Sequence, residues 1–334
     1  MKAVQVKEKG GDFHVVEIDK PSPEENEVLI KVEACGICHS DAFVKDGAFP
    51  GIEYPRVPGH EVVGIVEEVG ARVNNWKKGQ RVGVGWHGGH CFECEPCRRG
   101  DFISCENAKI SGISYDGGYA EFMTAPQEAV ASIPEDLSSA EAAPLLCAGI
   151  TVFNALRNSG ITAGDTVAVQ GIGGLGHLAI QYAAKMGMRT VAISTSDSKK
   201  KLAEELGAHH FINAKQKDAA KELQNMGGAK LILATAPNSE AITSVIGGLG
   251  IDGKLLMVAA TGDPIEVSPM ELLMGRKSVA GWPSGTAMDS EDTLKFSAMT
   301  GTKPKIEEFP LDKVSEAYDK MINNKARFRV VLKP

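Results

Sequence analysis

The 334-residue chain has a mass of 35.4 kDa, more than one ordinary domain of roughly 100 to 200 residues, and suits two domains. Its 36 basic and 43 acidic residues leave a formal net charge of −7, which repels phosphate backbones and sets nucleic acid aside as the main partner. With 24% charged and 43% hydrophobic residues it is not a disordered chain. The longest apolar run, LLMVAA at 255–260, falls far short of the roughly 20 residues a membrane-spanning helix needs, so no membrane partner is expected.

In chain order, the first residues, MKAVQVKEKGG, carry a charge every few positions and no apolar stretch before a cleavage site. They do not read as a secretory signal, and the expected location is the cytoplasm. Between 28 and 84 the apolar residues come in short runs, VLIKVEA, EVVGIVEEVG and RVGVGW, broken by Gly and Pro, which predicts an irregular β domain with few helices. From Thr166 strands and helices alternate: TVAVQ, a helix over 174–186, TVAIS, a helix over 198–206, KLILAT, a helix over 239–249, KLLMVA and SVAGW. That alternation predicts parallel pairing through right-handed crossovers, an α/β fold with a doubly wound parallel sheet. After Ser290 two amphipathic helices and a last strand, ARFRVVL, are expected to return to the first domain.

Seven cysteines, Cys35, Cys38, Cys91, Cys94, Cys97, Cys105 and Cys147, are an odd number, and a reducing compartment disfavours a disulfide framework. Four of them, in CFECEPCRRGDFISC, stand with two, two and seven residues between them. Thiolates at such spacing close a tetrahedral shell around one zinc, a structural site with no open position. The alternatives are four unrelated buried thiols, which this polar, Pro- and Gly-punctuated segment does not favour, and an iron–sulfur cluster, whose ferredoxin spacings differ. His87 and His90 beside the lobe read as bystanders on a surface loop.

The strand TVAVQ runs directly into GIGGLGHLAIQYAAKMG. Gly171, Gly173 and Gly176 fit G-x-G-x-x-G, and the loop with Gly174 and Leu175 leads into a helix whose N-terminus suits a pyrophosphate. Standing after a strand and before a helix, it predicts dinucleotide binding. A carboxylate about 20 residues further would select NAD, but the strand closes on Ser194. Ser194, Thr195 and Ser196, with Lys199 nearby, suit a ribose 2′-phosphate and favour NADP over NAD. Asp197 stands between them and weighs the other way.

Three further segments, CGICHSD at 35–41, PGHE at 58–61 and LLCAG at 145–149, place Cys38, His60 and Cys147 far apart in the chain. With the four-cysteine lobe and the GIGGLG turn they make nearly the whole chain resemble the zinc-dependent medium-chain alcohol dehydrogenases, near the cinnamyl-alcohol-dehydrogenase branch. The resemblance implies a GroES-like, β-rich catalytic domain over 1–149 with a structural zinc lobe at about 88–107, a Rossmann domain over 150–287, and a return to the catalytic domain over 288–334. It implies two zinc ions per chain, one on Cys91, Cys94, Cys97 and Cys105. The other would sit on Cys38, His60 and Cys147, with one coordination position open, Glu61 behind it and Asp41 fixing the His60 tautomer. By the same matching, Ser40 meets the alcohol hydroxyl, Trp86 and Phe49 line the substrate pocket, Thr151 meets the nicotinamide, and His39 and Arg329 reach the pyrophosphate. The implied reaction is hydride transfer between a primary alcohol, or its aldehyde, and nicotinamide C4, and the implied assembly is a homo-oligomer, a tetramer ahead of a dimer.

Two departures stand out. Many relatives carry a histidine, ending a proton relay, where this chain has Phe43, and Cys35 forms C-x-x-C with Cys38, read as a spare buried thiol rather than a redox pair. The competing functions are a non-enzymatic dinucleotide sensor on the same scaffold and a zinc-free enone or quinone reductase; retention of Cys38, His60, Cys147 and Ser40 together argues against both.

Overall fold

The computed structural model describes all 334 residues. The chain divides into two compact units, Met1–Ile150 with Gly285–Pro334, and Thr151–Ser284. No single helix is long and apolar enough to cross a membrane.

The first unit is built on a seven-stranded sheet. Its path runs Ile306–Pro310, Arg329–Lys333, Glu27–Ile37, Val62–Val69, Arg81–Val84 and Val130–Ser132, and Phe122–Pro126 also pairs with Glu27–Ile37. All pairings are antiparallel except that of Ile306–Pro310 with Arg329–Lys333. The last strand of the chain thus pairs with the strand that ends beside Cys38, Val330 opposite Ile37 and Leu332 opposite Cys35. Register shifts in the Glu27–Ile37 pairing with Val62–Val69, at Leu29/Ile30 and Val32/Ala34, bend the long strand as β-bulges do. Val28, Ile30, Val32, Val62, Val66, Val82, Val330 and Leu332 meet in its core. At the far end of these strands Cys38 and His60 leave the sheet side by side, because Gly36 N–H bonds the Glu61 carbonyl at 3.0 Å. Gly36 has to be glycine: a Cβ there would overlap the Glu61 carboxylate.

The second unit holds six parallel strands in the order His210–Asn213, Arg189–Ser194, Thr166–Gln170, Ala229–Ala234, Leu249–Met257 and Ser278–Gly281. Its central strands are covered on both faces, so Val167, Ala168 and Val169, like Leu231, Ile232, Leu233 and Ala234, are all fully buried. That is why they read as unbroken apolar runs. The helix expected over 174–186 forms as Gly176–Lys185, and that over 198–206 as a 3-10 turn at Asp197–Lys199 continuing into Lys200–Glu205. The helix expected over 239–249 is corrected. It stops at Thr243, a 3-10 turn follows at Ile246–Gly248, and Leu249 already begins a strand. Gly248 packs there against Leu223, leaving no room for a Cβ. The strand His210–Asn213 and the helices Ala219–Asn225 and Pro269–Gly275 were not expected from the pattern.

Candidate active site

Cys38, His60, Glu61 and Cys147 each bring one ligand atom to within 4.8 Å of one another. Cys38 ends the bent strand, His60 and Glu61 precede the strand Val62–Val69, and Cys147 follows the 3-10 turn Ala143–Leu146. The two sulfurs are 3.7 Å apart. Two thiolates sharing a tetrahedral zinc at Zn–S distances of about 2.3 Å would be separated by about 3.8 Å, so the pair fits that ion. His60 is 2% exposed, and its Nδ1 lies 3.2 Å from Asp41 Oδ1. Its Nε2 is buried without a hydrogen-bond partner. A buried imidazole nitrogen left over on the side of two sulfurs is what a metal ligand lacks before its metal is counted.

The electrostatics agree. The hydrogen bond from Cys147 pulls the Cys38 thiol well below its ordinary value against the effect of burial, and His60 adds to the shift. Cys147 moves the other way: its hydrogen bond to Cys38 first, then its burial and the charge on Cys38, raise it. Burial alone would lower His60, yet the Asp41 carboxylate outweighs it and the imidazole is raised. Glu61, fully buried, is pushed up to about 7 by burial against the pull of the Arg329 guanidinium.

Several of the expected residues stand around this cluster. Ser40 Oγ is 3.8 Å from Cys38 Sγ. Asp41 Oδ2 accepts the Cys38 backbone N–H at 2.8 Å. The Trp86 ring meets His60 edge-on at 5.0 Å between centroids, Phe49 meets Trp86 at 6.4 Å, and Phe43 meets Phe49 at 6.4 Å. These three rings wall one side, where Phe43 can neither give nor take a proton. His39 is exposed. Arg329, expected at the pyrophosphate, is 5% exposed and ion-paired with Glu61. Tyr119, which the sequence reading passed over, donates its hydroxyl to Asp41 Oδ2 at 2.8 Å. Burial, with the Asp41 charge, raises that phenol well above its ordinary range.

The four-cysteine lobe also gathers. Cys94 Sγ is 3.8 Å from Cys105 Sγ, and Cys105 Sγ is 3.6 Å from Cys91 Sγ. Backbone N–H groups of Cys91 and Asn107 point at Cys105, and that of Cys94 points at Cys91. The Cys94 N–H first, with that of Glu93 and the Asn107 side chain, holds the Cys91 thiol down to about 6, which favours a thiolate there, while burial first pushes the Cys97 thiol up to about 12. The separations again match a shared tetrahedral ion. All seven cysteines are free, and Cys35 is a fully buried thiol. His87 is not on the surface: it lies in the strand His87–Gly89, is 5% exposed, and its Nε2 is 3.2 Å from His90 Nδ1. His90 stacks on Phe102.

In the second unit the three loop glycines take separate jobs. Gly171 has φ +95°, a left-handed turn. A Cβ on Gly173 would meet nothing within 4 Å, which leaves its backbone open to a ligand, and one on Gly176 would overlap the Gly171 carbonyl. Gly174 and Leu175 complete the turn, with Leu175 capping the helix. Lys199 Nζ donates to the Ile172 carbonyl at 2.7 Å, which brings its ammonium to the glycine loop. Thr195 and Ser196 are exposed at the strand end and Ser194 is buried. Asp197 accepts from Gln216 Nε2 at 2.8 Å. Thr151, 9% exposed, lies near the start of the helix Ala148–Arg157.

A dinucleotide-type parallel sheet and a β unit carrying two groups of side chains able to hold a metal ion define a zinc-binding dehydrogenase. Residues 24–135 match the alcohol dehydrogenase GroES-like domain, and residues 174–299 match the zinc-binding dehydrogenase domain. The chain is 47% identical to alcohol dehydrogenase patD of Penicillium expansum, over 98% of this chain and 95% of that protein. The solved structure of a cinnamyl alcohol dehydrogenase from Sorghum bicolor is similar with a TM-score of 0.90 at 30% identity, covering 99% of this chain and 97% of that one. That of the CAD from Helicobacter pylori complexed with NADP(H) gives 0.89 at 28%, with coverages of 99% and 97%. The chain belongs to the zinc-type medium-chain alcohol dehydrogenases. It is an oxidoreductase acting on CH–OH groups, with zinc and a nicotinamide cofactor in its chemistry.

Proposed function

We propose that the protein is an NADP-preferring dehydrogenase of primary alcohols, and reductase of the corresponding aldehydes, with two zinc ions per chain. The observation that carries the reading is the convergence of Cys38, His60 and Cys147 with His60 Nε2 buried and unpartnered. These three would hold the catalytic ion, with Glu61 as second neighbour, and Cys91, Cys94, Cys97 and Cys105 the structural one. When bound, the catalytic zinc supplies Lewis acidity that stabilises negative charge on the alcohol oxygen. Asp41 keeps the His60 ring turned with Nε2 toward the sulfurs. Ser40, beside Cys38, takes the hydroxyl proton, and because Phe43 cannot receive it, the proton leaves through another group. Trp86, Phe49 and Phe43 exclude water and favour small or aromatic alcohols over polyols. The loop of Gly171, Gly173, Gly174, Leu175 and Gly176 receives the pyrophosphate, with His39 and Arg329 assigned to it by the family pattern, and Thr151 meets the nicotinamide. Ser194, Thr195, Ser196 and Lys199 take the 2′-phosphate, a reading helped by the engagement of Asp197 with Gln216.

The free cysteines support a reducing compartment, the cytoplasm. A homo-oligomer, tetramer first, is supported by Met270, Leu273 and Met274, which are 64%, 73% and 81% exposed on one short helix near the sheet-edge strand Ser278–Gly281. The test combines metal analysis with a panel of alcohols and aldehydes assayed with both cofactors. Two zinc per chain and a higher kcat/KM with NADP are expected. One zinc would sink the catalytic site, and a higher kcat/KM with NAD for the same alcohol would sink the cofactor assignment. Lys199→Ala is expected to weaken NADP binding about tenfold or more and NAD binding little, read from the two dissociation constants.

A further inference from the structure

We infer that Tyr119 is a positioning residue for the metal-ligating face of His60, acting through Asp41. The inference rests on the reading of Cys38, His60 and Cys147 as a zinc site. It comes from how three distant segments are tied together. Asp41 is 1% exposed: its Oδ2 accepts the Cys38 N–H and the Tyr119 hydroxyl, both at 2.8 Å, while its Oδ1, without a hydrogen bond of its own, lies 3.2 Å from His60 Nδ1 as the charged face toward that ring. A carboxylate held by one contact can still rotate about its Cβ–Cγ bond. One held on Oδ2 by two donors from different segments has its plane set, and the direction of Oδ1, which orients the imidazole, is set with it.

The phenol is itself locked. Tyr119 is fully buried, its N–H bonds the Pro58 carbonyl at 3.0 Å, and its carbonyl accepts the Val4 N–H at 2.8 Å. Gly117 N–H bonds Val57 at 2.7 Å and Gly118 N–H bonds Gly59 at 3.1 Å, so residues 117–119 are zipped along the strip that leads into His60. Where the ring passes beneath that strip, Gly59 has φ +107°, and a Cβ on it would come 2.6 Å from Tyr119 Cδ1. The glycine of PGHE therefore makes room for the ring that steadies the histidine after it. A phenylalanine at 119 would fill the core equally well. The hydroxyl is needed only by the carboxylate.

The test is zinc release from the zinc-loaded protein to a chromogenic chelator, with the four-cysteine ion as internal control. Removal of a direct partner of a metal-ligating histidine typically costs about 10- to 100-fold in metal affinity. Tyr119 acts one contact further away, so Tyr119→Phe is expected to release one of the two zinc ions about 3- to 10-fold faster, leaving the other rate and the melting temperature near wild type. Phe13→Leu, which alters packing beside the Tyr119 ring at a centroid distance of 6.4 Å without touching the hydroxyl, is expected to leave both rates unchanged. If Tyr119→Phe releases both ions at wild-type rates, speeds both equally, or melts far below wild type, Tyr119 is a packing residue and the inference fails alone. If wild type holds fewer than two zinc ions, the zinc reading fails and takes the inference with it.

Discussion

Replacing Arg329 by Met separates two roles for that side chain. The family pattern sends Arg329 to the cofactor pyrophosphate, whereas in the structure its guanidinium is ion-paired with Glu61, the two side chains 6% and 0% exposed. Removing one member of a buried pair strands the other charge, at a typical cost of about 3–5 kcal/mol. Glu61 has a partial escape, because burial raises its carboxyl even with the arginine present, and a stranded carboxylate can shed its charge by taking up a proton. The net loss expected for Arg329→Met is therefore somewhat below that figure, about 2–4 kcal/mol, in the cofactor-free protein. The assay is urea unfolding followed by tryptophan fluorescence, two of the three tryptophans, Trp76 and Trp86, lying in the first unit and Trp282 in the second. Adding Glu61→Gln should recover at least about 1 kcal/mol, since the double variant buries no stranded charge. The reasoning is refuted if cofactor-free Arg329→Met unfolds with wild type while its dissociation constant for NADP rises, for then the arginine serves the cofactor and not the carboxylate.

Other expectations follow from the same structure. Cys97 is 5% exposed within the four-cysteine lobe, and Cys97→Ala should lower the zinc content by one ion per chain and the melting temperature with it; unchanged metal content would remove that lobe as a zinc site. Glu291 ties the helix Ala287–Thr300 to the strand Val130–Ser132 through the Ser132 N–H at 3.0 Å, and pairs with Lys295 at 3.0 Å. Burial alone would raise its carboxyl, but the Ser132 N–H and Lys295 outweigh burial and lower it from 4.5. A depressed carboxyl stabilises the fold above its unfolded value and loses that contribution as pH falls through the folded one. Glu291→Gln should thus cost about 1 kcal/mol near neutral pH and progressively less below about pH 4, and a pH-independent gap in urea midpoints would contradict this. Phe43→His should alter the pH dependence of kcat by offering a proton acceptor beside Ser40; an unchanged profile means the proton leaves by a route this position does not touch.

The local features were legible in the sequence for a physical reason: their chemistry closes within a few residues. Gly171, Gly173 and Gly176 act on one turn and the helix it starts, and Cys91 to Cys105 can meet at a single ion because only fifteen residues of chain join them. The twofold-buried strands of the parallel sheet announced themselves as apolar runs between helices. Where packing overrode the local pattern, the reading went astray: the helix from Ser239 was cut short where Gly248 meets Leu223, and His87, polar by composition, was drawn into a strand and buried.

The catalytic cluster belongs to the other kind. Cys38 meets Cys147 across 109 residues, Tyr119 meets Asp41 across 78, and Arg329 meets Glu61 across 268. Such pairs carry no period or spacing, since their encounter depends on a bent strand, a zipped loop and a last strand that returns to the first sheet. Read alone, the residues yield one zinc-sized set of ligands, the four-cysteine lobe, with a dinucleotide turn and the class of sheet that holds it; the catalytic set came through resemblance to a family. Only the tertiary structure decided which oxygen of Asp41 faces the histidine and which partner Arg329 takes, because closing long loops is entropically costly and is offset only by the packing of the whole unit.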